Sequence, residues 1–277
     1  MFSINCKGKL ILIEKPLVMG IININEDSFY AGSRTQNPDV IKSRVSQMLN
    51  EGADIIDIGA QSTRPGSTRV SAEDELKKLL PAIEMLMTFP EIIISVDTYH
   101  SQVAQQTIDA GASIVNDISA GEMDNNMLPT VAKLNVPYIC MHMKGLPETM
   151  QYNTNYENVV KEVLDYFIKK TEECKRAGIN DVIIDPGFGF GKNISQNLLL
   201  LKSLAVFKML GKPILAGLSR KSTIYKTLNI PVEESLNGTS VLNTIALQNG
   251  ASILRVHDVK EAKQVVDLIA AYNIAGE

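Results

Sequence analysis

The chain has few of the residues that build disulfide scaffolds or zinc sites. Among its 277 residues there are three cysteines, three histidines and no tryptophan. The cysteines are odd in number and far apart, and neither they nor the histidines have the spacing of zinc ligands. We therefore expect no disulfide framework and no structural zinc. Cys140 lies in an apolar run and is expected to be a core residue.

Long apolar runs and an excess of basic charge are also missing. No run approaches the roughly 20 apolar residues that a membrane-spanning helix needs. The formal net charge of −4 argues against a protein that binds nucleic acid through general electrostatics. Asn5, Lys7 and Lys9 occupy the stretch where a signal peptide would be apolar. We expect a soluble, cytoplasmic protein with a sizeable core, since 45% of its residues are hydrophobic.

Short apolar runs recur along the whole chain, with turn residues and a helical stretch after each. They are rich in Ile, Val and Leu and lack the alternation of half-exposed strands, which is typical of buried parallel strands. The runs are residues 16–22, 53–58, 92–96, 113–116, 137–141, 181–185, 213–218 and 252–256.

The segments between the runs carry helix signals. Ser71-Ala-Glu-Asp74 resembles a capping box that begins a helix running towards Met87. Residues 156–177 have apolar side chains at the spacing of a helix with one buried face, and Gly178 stands at the expected C-terminal cap. Residues 195–210 and 259–271 are also predicted to be helical.

Eight strand-then-helix units in a chain of this length favour a single (β/α)8 TIM barrel over residues 1–277. The alternative is an open, doubly wound sheet of the Rossmann type, but no GxGxxG sequence follows the first strand. Residues 2–13 are predicted to form an N-terminal β-hairpin that covers the bottom of the barrel.

A polar or charged residue stands at the end of each predicted strand. Barrel enzymes place their chemistry at the carboxyl ends of the strands. Any one such residue has a simpler role as a helix cap or turn former, but eight on one rim are hard to explain in that way. In strand order the residues are Asn23; Asp57; Asp97; Asn116 and Asp117; His142; Asp185; Ser219, Lys221 and Ser222; and Arg255 and His257.

These residue types indicate a site for a flat heterocycle and an anion. Asp97, Asn116 and Asp185 supply acceptors and an amide for a ring with amino and lactam groups. The basic residues Lys221, Arg255 and His257 offer positive charge to an anionic leaving group. Asn23 is a candidate ligand for Mg²⁺, which keeps most of its waters and bridges phosphate oxygens.

Two features near the rim admit more than one interpretation. The glycine-rich stretch at residues 187–191 could form a phosphate cradle, but we favour a wall on which Phe188 and Phe190 stack against a ligand. His142 either contacts the ligand or orients a residue that does.

The motifs at these strand ends resemble those of the dihydropteroate synthases, and the resemblance runs from Val18 to Val259. They follow one another in family order: Val18-Met-Gly-Ile-Ile-Asn23, Asp27-Ser-Phe29, Asp57-Ile-Gly59, Ser62-Thr-Arg-Pro-Gly66, Ser95-Val-Asp-Thr98, Asn116-Asp-Ile-Ser119, Met141-His-Met143, Asp185-Pro-Gly-Phe-Gly-Phe-Gly-Lys192, Ser219-Arg-Lys-Ser222 and Arg255-Val-His-Asp258.

The resemblance implies a function and a set of site residues. Such an enzyme joins 6-hydroxymethyl-7,8-dihydropterin pyrophosphate to p-aminobenzoate, releases pyrophosphate and is a sulfonamide target. By the resemblance the pterin is held by Asp97, Asn116, Asp185 and Lys221, with Met141 and Phe190 as apolar contacts. Pyrophosphate and Mg²⁺ are assigned to Asn23, Arg255 and His257. The p-aminobenzoate site is assigned to Thr63, Arg64, Pro65, Phe190, Ser219, Lys221 and Ser222, with Phe29 closing over it. The family also implies a homodimer through the outer helices.

Three departures from the family pattern keep other functions open. Asn25-Glu26 replaces the common Thr-Pro, Ala31 replaces a frequent Asp, and Ala60-Gln61 replaces Gly-Glu. Asn25-Glu26 and Ala31 leave room for a paralogue that binds pterins without catalysis. A second alternative is a methyltetrahydrofolate–corrinoid methyltransferase, which has a similar barrel but needs neither a pyrophosphate site nor an amine site.

Overall fold

The structure is a computed structural model, and it describes residues 2–24, 38–61, 69–145, 150 and 154–275. Its strands are β1 (Phe2–Cys6), β2 (Lys9–Ile13), β3 (Leu17–Asn23), β4 (Ile55–Gly59), β5 (Ile94–Asp97), β6 (Ile114–Asp117), β7 (Tyr138–Met141), β8 (Val182–Asp185), β9 (Leu215–Ala216) and β10 (Ile253–Val256). Its α-helices are α1 (Pro38–Asn50), α2 (Ala72–Leu86), α3 (Ser101–Asp109), α4 (Met127–Leu134), α5 (Val159–Ala177), α6 (Ile194–Lys202), α7 (Ser222–Leu228), α8 (Leu236–Gln248) and α9 (Val259–Ile274).

The eight strands β3–β10 form one parallel sheet that closes into a barrel. Their hydrogen-bonded order is β8-β7-β6-β5-β4-β3-β10-β9. The remaining seam is joined by a parallel bridge between Ile184 and Ile214, where Ile184 N donates to Pro213 O at 3.0 Å. Because the two end strands of this order also meet, the sheet is closed. This confirms the predicted TIM barrel and rules out the open, doubly wound alternative.

The N-terminal hairpin covers the bottom of the barrel, as predicted. β1 and β2 pair antiparallel around Lys7 and Gly8, whose φ angles of 52° and 90° match a two-residue turn with a left-handed backbone. Ile4, Cys6 and Ile13 are buried against the first inward-facing residues of the barrel strands. This burial removes the apolar lower end of the barrel interior from contact with water, which stabilises the closed barrel.

The helices surround the barrel, and their apolar faces share one large cluster with the outer faces of the strands. The predicted cap of α2 is present, because Ser71 Oγ accepts from Asp74 N at 3.2 Å. Gly178 ends α5 with a φ of 93°, also as predicted. Cys140 is fully buried in this cluster, which confirms its expected place in the core. No helix within the described ranges is long and apolar enough to cross a bilayer.

Two segments differ from the sequence prediction. The helix expected over residues 195–210 ends at Lys202, and Leu204–Leu210 forms a separate 3₁₀ helix. Because a 3₁₀ helix brings residues i and i+3 to one face, both Leu204 and Phe207 can be buried there. The strand expected at 213–218 is reduced to the two residues of β9, and two helices, α7 and α8, lie between β9 and β10 instead of one.

Candidate active site

The barrel interior changes from apolar to polar within two residues along most strands. The lower layer consists of Met19, Ile55, Ile93, Ile114, Ile139, Ile183, Leu215 and Ile253, all buried together with the hairpin. Two residues further along each strand stand Ile21, Asp57, Ser95, Asn116, Met141, Asp185, Gly217 and Arg255. Successive side chains of a strand point to opposite faces, so both layers face inward and the second begins the site.

One pocket opens at the carboxyl ends of the strands and holds about 310 Å³ of open space. Seven of the residues singled out in the sequence line it together with Ile118 and Gly217: Asp97, Asn116, Met141, Asp185, Phe190, Lys221 and Arg255. They come from β5, β6, β7, β8, β10 and the loops after β8 and β9.

An ion-pair network joins opposite sides of the pocket. Arg255 Nε donates to Asp57 Oδ2 at 2.6 Å, and its Nη2 donates to Asp97 Oδ2 at 2.7 Å. Asn116 Nδ2 also donates to Asp57 Oδ2, at 3.1 Å. The sequence analysis had noted Asp57 at a strand end but assigned it no role. In the structure this fully buried carboxylate orients both Arg255 and Asn116 and leaves the amide oxygen of Asn116 for a ligand.

Burial raises the pKa of both carboxyl groups that face the pocket. For Asp97 the pKa rises to about 7, with Arg255 opposing the rise and Asp57 adding to it. For Asp185 burial again raises the pKa, and Lys221 is the strongest opposing influence. Buried carboxylates with few donors favour a ligand that brings N–H groups or positive charge. The pocket is therefore suited to a ring that donates hydrogen bonds.

Lys221 lies across the pocket from these acids, between the β8 and β9 loops. Its ammonium donates to the carbonyl of Phe188 and lies 4.9 Å from the centre of the Phe190 ring. Burial lowers the pKa of Lys221 to about 8, and Asp185 opposes this change. Phe190 lines the pocket as expected, but Phe188 is fully buried in the core. The predicted two-phenylalanine wall is wrong for Phe188, because its side chain packs behind the loop and only its carbonyl reaches Lys221.

The β9 loop is fixed by a left-handed residue and an ion pair that the sequence analysis did not single out. Arg220 has a φ of 54°, and its guanidinium binds both carboxylate oxygens of Asp258 at 2.9 and 2.8 Å. This contact joins the β9 loop to the end of β10. It holds Ser219 and Lys221, on either side of Arg220, against the pocket rim.

His257 lies beside Ser219 at this rim. Its Nδ1 is 3.0 Å from Ser219 Oγ, and its backbone N donates to the same oxygen at 3.2 Å. Burial lowers the pKa of His257 to about 4, with Arg255 adding to the effect. The lowered pKa differs from the sequence expectation that His257 carries positive charge. Because Nδ1 is engaged by Ser219 Oγ, Nε2 is the ring nitrogen left for a ligand.

The other predicted site residues fall into three groups. Asn23 ends β3 on the same rim with an exposed side chain, and Ser222 is the half-buried first residue of α7. His142 is buried behind the pocket, where its Nδ1 contacts Lys192 Nζ at 2.9 Å, so it orients neighbours instead of lining the pocket. Phe29, Thr63, Arg64 and Pro65 lie outside the described residues.

Comparison with known proteins agrees with this site. A family model described as "Pterin binding enzyme" matches residues 19–257. The dihydropteroate synthase of Escherichia coli K12 is 42% identical over 269 residues, covering 96% of this chain and 94% of its own. The dihydropteroate synthase of Haemophilus influenzae is 44% identical over 254 residues, covering 91% and 92%.

Solved structures show the same architecture. The Yersinia pestis dihydropteroate synthase with a sulfonamide drug complex has a TM-score of 0.94 at 36% identity, covering 99% of this chain and 100% of its own. The Xanthomonas albilineans enzyme with 7,8-dihydropteroate has a TM-score of 0.90 at 33% identity, covering 99% and 100%. The family match, the full-length identity and the shared barrel lead to one conclusion: this chain belongs to the dihydropteroate synthase family of pterin-binding enzymes.

Proposed function

We propose that the chain joins 6-hydroxymethyl-7,8-dihydropterin pyrophosphate to p-aminobenzoate, yielding 7,8-dihydropteroate and pyrophosphate for folate synthesis. The observation that carries the proposal is the convergence of Asp97, Asn116, Asp185 and Lys221 in one pocket. The structures of relatives with 4-aminobenzoic acid and with 7,8-dihydropteroate support it.

The pocket has the hydrogen-bonding groups that a pterin requires. The 2-amino group and ring N–H groups of a pterin are donors that buried carboxylates such as Asp97 and Asp185 can accept. The lactam oxygen is an acceptor that the ammonium of Lys221 can reach across the pocket. Met141 and Phe190 supply apolar surface against the faces of the ring. This pairing leaves few polar groups unsatisfied when the ring displaces water.

The chemistry needs charge stabilisation more than a strong base. The carbon–oxygen bond to pyrophosphate breaks with its electron pair on the leaving oxygen, and positive charge develops on the pterin methylene and ring. Asp97 and Asp185 stabilise that charge as it forms. The neutral aromatic amine then forms the new carbon–nitrogen bond and loses one proton. Phe190 and Lys221 hold the amine in line with the methylene carbon.

The anion site combines neutral and charged donors. Arg255 and His257 bind pyrophosphate oxygens, and Asn23 on the same rim offers a hard oxygen ligand. A single exposed amide oxygen fits Mg²⁺, which retains waters and takes its other ligands from phosphate. When bound, Mg²⁺ would neutralise charge on the departing pyrophosphate.

The p-aminobenzoate site extends outwards from Lys221. Ser219 and Ser222 stand on either side of Lys221 in the chain, and the Lys221 ammonium lies 4.9 Å from the centre of the Phe190 ring. We assign Thr63, Arg64, Pro65 and Phe29 to this site as well, as the family motifs imply. The structure of the Yersinia pestis relative with a sulfonamide drug complex supports the proposal that this enzyme is also a sulfonamide target.

Measurement of pyrophosphate release tests the proposal. The protein is incubated with the pterin pyrophosphate and Mg²⁺, with and without p-aminobenzoate. Release that depends on p-aminobenzoate and yields dihydropteroate supports the synthase. Pterin binding without release would favour the non-catalytic paralogue. Methyl transfer from methyltetrahydrofolate to a corrinoid without pyrophosphate chemistry would favour the methyltransferase.

The proposal includes a homodimer in the cytoplasm. Helices α6, α7 and α8 contact one another on the outside of the barrel and expose Leu198, Leu199, Leu228 and Val241. An apolar face shared by neighbouring helices is typical of a subunit interface. Sedimentation velocity of the wild type and of Leu199→Asp tests the dimer, which is expected to dissociate in the variant.

A further inference from the structure

A buried lysine lies beneath the loop that follows β8. Only 3% of Lys192 is exposed, and it lies in none of the ion pairs described for this part of the chain. Its Nζ instead contacts four acceptors: His142 Nδ1 at 2.9 Å, Gly187 O at 2.9 Å, Phe190 O at 3.0 Å and His142 O at 3.3 Å. A lysine without a carboxylate in contact is costly to bury, so a role for this one is expected.

The contacts favour a charged Lys192. Three carbonyl oxygens can only accept, so they need N–H donors from Lys192 Nζ. An ammonium has three N–H groups for these carbonyls, whereas a neutral amine has only two. Burial lowers the pKa of Lys192 to about 7, with Asp185 opposing the change, and lowers the pKa of His142 to about 2. His142 is therefore neutral.

The lysine joins two elements that form the pterin pocket. His142 follows β7 directly after Met141, and Gly187 and Phe190 belong to the loop after β8. The two elements are already in close contact, because a Cβ on Gly187 would lie 1.9 Å from His142 O. In this arrangement Gly187 N donates to Asp185 Oδ1 at 2.8 Å, and the Phe190 ring lines the pocket.

The charge of Lys192 also acts on the site. It lies close enough to Asp185 to lower the pKa of that carboxyl, together with Lys221, the Gly187 N–H and Arg255, while burial raises it. Asp185 in turn adds to the rise in the pKa of Asp97, the other acid of the pocket. Lys221 and Arg255 lie in the pocket, where a ligand engages them, but Lys192 lies behind the loop. It therefore supplies positive charge near Asp185 without occupying the ligand's space.

We propose that Lys192 is a positioning residue for the pterin: its buried ammonium holds the β7 and β8 loops together and supplies the positive charge that faces Asp185 from behind the pocket. This role rests on the proposed function, because it assumes that Asp185 accepts hydrogen bonds from a pterin. Lys192 itself does not touch the substrate. It acts through Asp185 and Phe190.

The test measures equilibrium binding of 6-hydroxymethylpterin to the full-length protein by calorimetry over a range of pH. Lys192→Met removes the charge and all donors, whereas Lys192→Gln keeps amide donors without charge. Lys170→Met is the matched control, because Lys170 is a second buried lysine whose Nζ pairs with Glu173 at 2.8 Å and Glu122 at 3.5 Å away from the pocket. Thermal unfolding of all variants reports whether each is folded.

The expected result is about tenfold weaker pterin binding by Lys192→Met at neutral pH, which corresponds to about 1.4 kcal/mol. The acid midpoint of binding is the pH at which acidification has halved the affinity. It is expected to move to higher pH in both Lys192 variants, because the pKa of Asp185 rises when a nearby cation is removed. Lys170→Met should lose stability but keep the wild-type affinity and midpoint. If Lys192 only supported the fold, its substitution would leave the acid midpoint of pterin binding unchanged.

The outcomes separate this role from the function on which it rests. If the wild type fails to bind the pterin, the proposed function itself is wrong. If the wild type binds and folded Lys192 variants keep its affinity and acid midpoint, the proposal for Lys192 is overturned. It is also overturned if neither Lys192 variant folds while Lys170→Met does, since Lys192 would then serve folding alone.

Discussion

Substitution of Asp57 by Asn perturbs the buried network that orients the pterin pocket. Asp57 Oδ2 accepts from Arg255 Nε at 2.6 Å and from Asn116 Nδ2 at 3.1 Å, and the side chain has no exposed surface. Asparagine can place its amide oxygen at the same point, so both donors keep an acceptor. The charge is lost, however, and an amide nitrogen takes the place of Asp57 Oδ1.

The size of the effect follows from these contacts. A hydrogen bond to a charged group contributes about 1.5–3 kcal/mol and a neutral one about 0.5–1.5 kcal/mol, so the Arg255 contact weakens by about 1 kcal/mol. Among the described residues Asp57 Oδ1 has no hydrogen-bond partner, and a buried donor left unpaired there costs about 1–3 kcal/mol. We expect the free energy of unfolding to fall by about 2–4 kcal/mol, which lowers the Tm by roughly 3–7 °C.

Activity should fall because Arg255 and Asn116 lose their orientation. Misplacement of a binding group by about 1 Å can cost about 100-fold, so we expect kcat/KM for the pterin pyrophosphate to fall between about 10-fold and 100-fold. The acid limb of the pH profile should move to lower pH. The reason is that the Asp57 carboxylate helps to raise the pKa of Asp97, after burial itself.

Asp54→Asn is the matched control for thermal unfolding and steady-state kinetics. Asp54 lies on the same part of the chain, but its Oδ2 accepts from Val18 N at 2.8 Å near the lower end of the barrel. Its substitution should reduce stability and leave kcat/KM within about twofold of the wild type. If Asp57→Asn loses stability yet keeps kcat/KM and the acid limb of the wild type, Asp57 supports the fold alone and our reasoning is refuted.

Three further substitutions test two residues of the site and a buried acid of α2. Asp97→Asn should lower kcat more than it weakens pterin binding, because its charge matters most in the transition state; equal losses in kinetics and calorimetry would mean that Asp97 only positions the ring. Lys221→Ala should abolish most activity, since its ammonium reaches both substrates, and kcat/KM within about threefold of the wild type would contradict this. Burial raises the pKa of Glu75 from 4.5 to about 8, so this group's contribution to stability is lost as the pH rises between these values. Glu75→Gln should therefore match the wild-type Tm near pH 4 and exceed it above pH 8, and parallel Tm curves would show that Glu75 is ionised in the folded protein.

The element order was readable from the sequence because it depends on local properties. Buried parallel strands require continuous runs of Ile, Val and Leu, and this pattern located all eight barrel strands to within a few residues. Caps such as Ser71 and Gly178 were predictable for the same reason, since they satisfy backbone groups near their own position. The weakest prediction was β9, which pairs over two residues only.

The polar residues of the site were also visible as strand-end residues. Their convergence followed from the barrel itself, because the carboxyl ends of parallel strands meet at one rim. The sequence could not show which of them contact one another. Arg255 and Asp57 are 198 residues apart in the chain, and Lys192 and His142 are 50 apart. Such pairs depend on the register of the strands and on the closure of the barrel.

What the sequence by itself determined was therefore the list of strands, helices and polar residues at one rim, together with the family motifs. Only the tertiary structure decided that Asp57 orients the site, that Phe188 belongs to the core and Phe190 to the pocket, and that burial lowers the pKa of His257. The reason is physical. Propensity and periodicity act over a few residues, whereas burial, charge state and hydrogen-bond partners are set by whatever the closed barrel brings within a few ångströms.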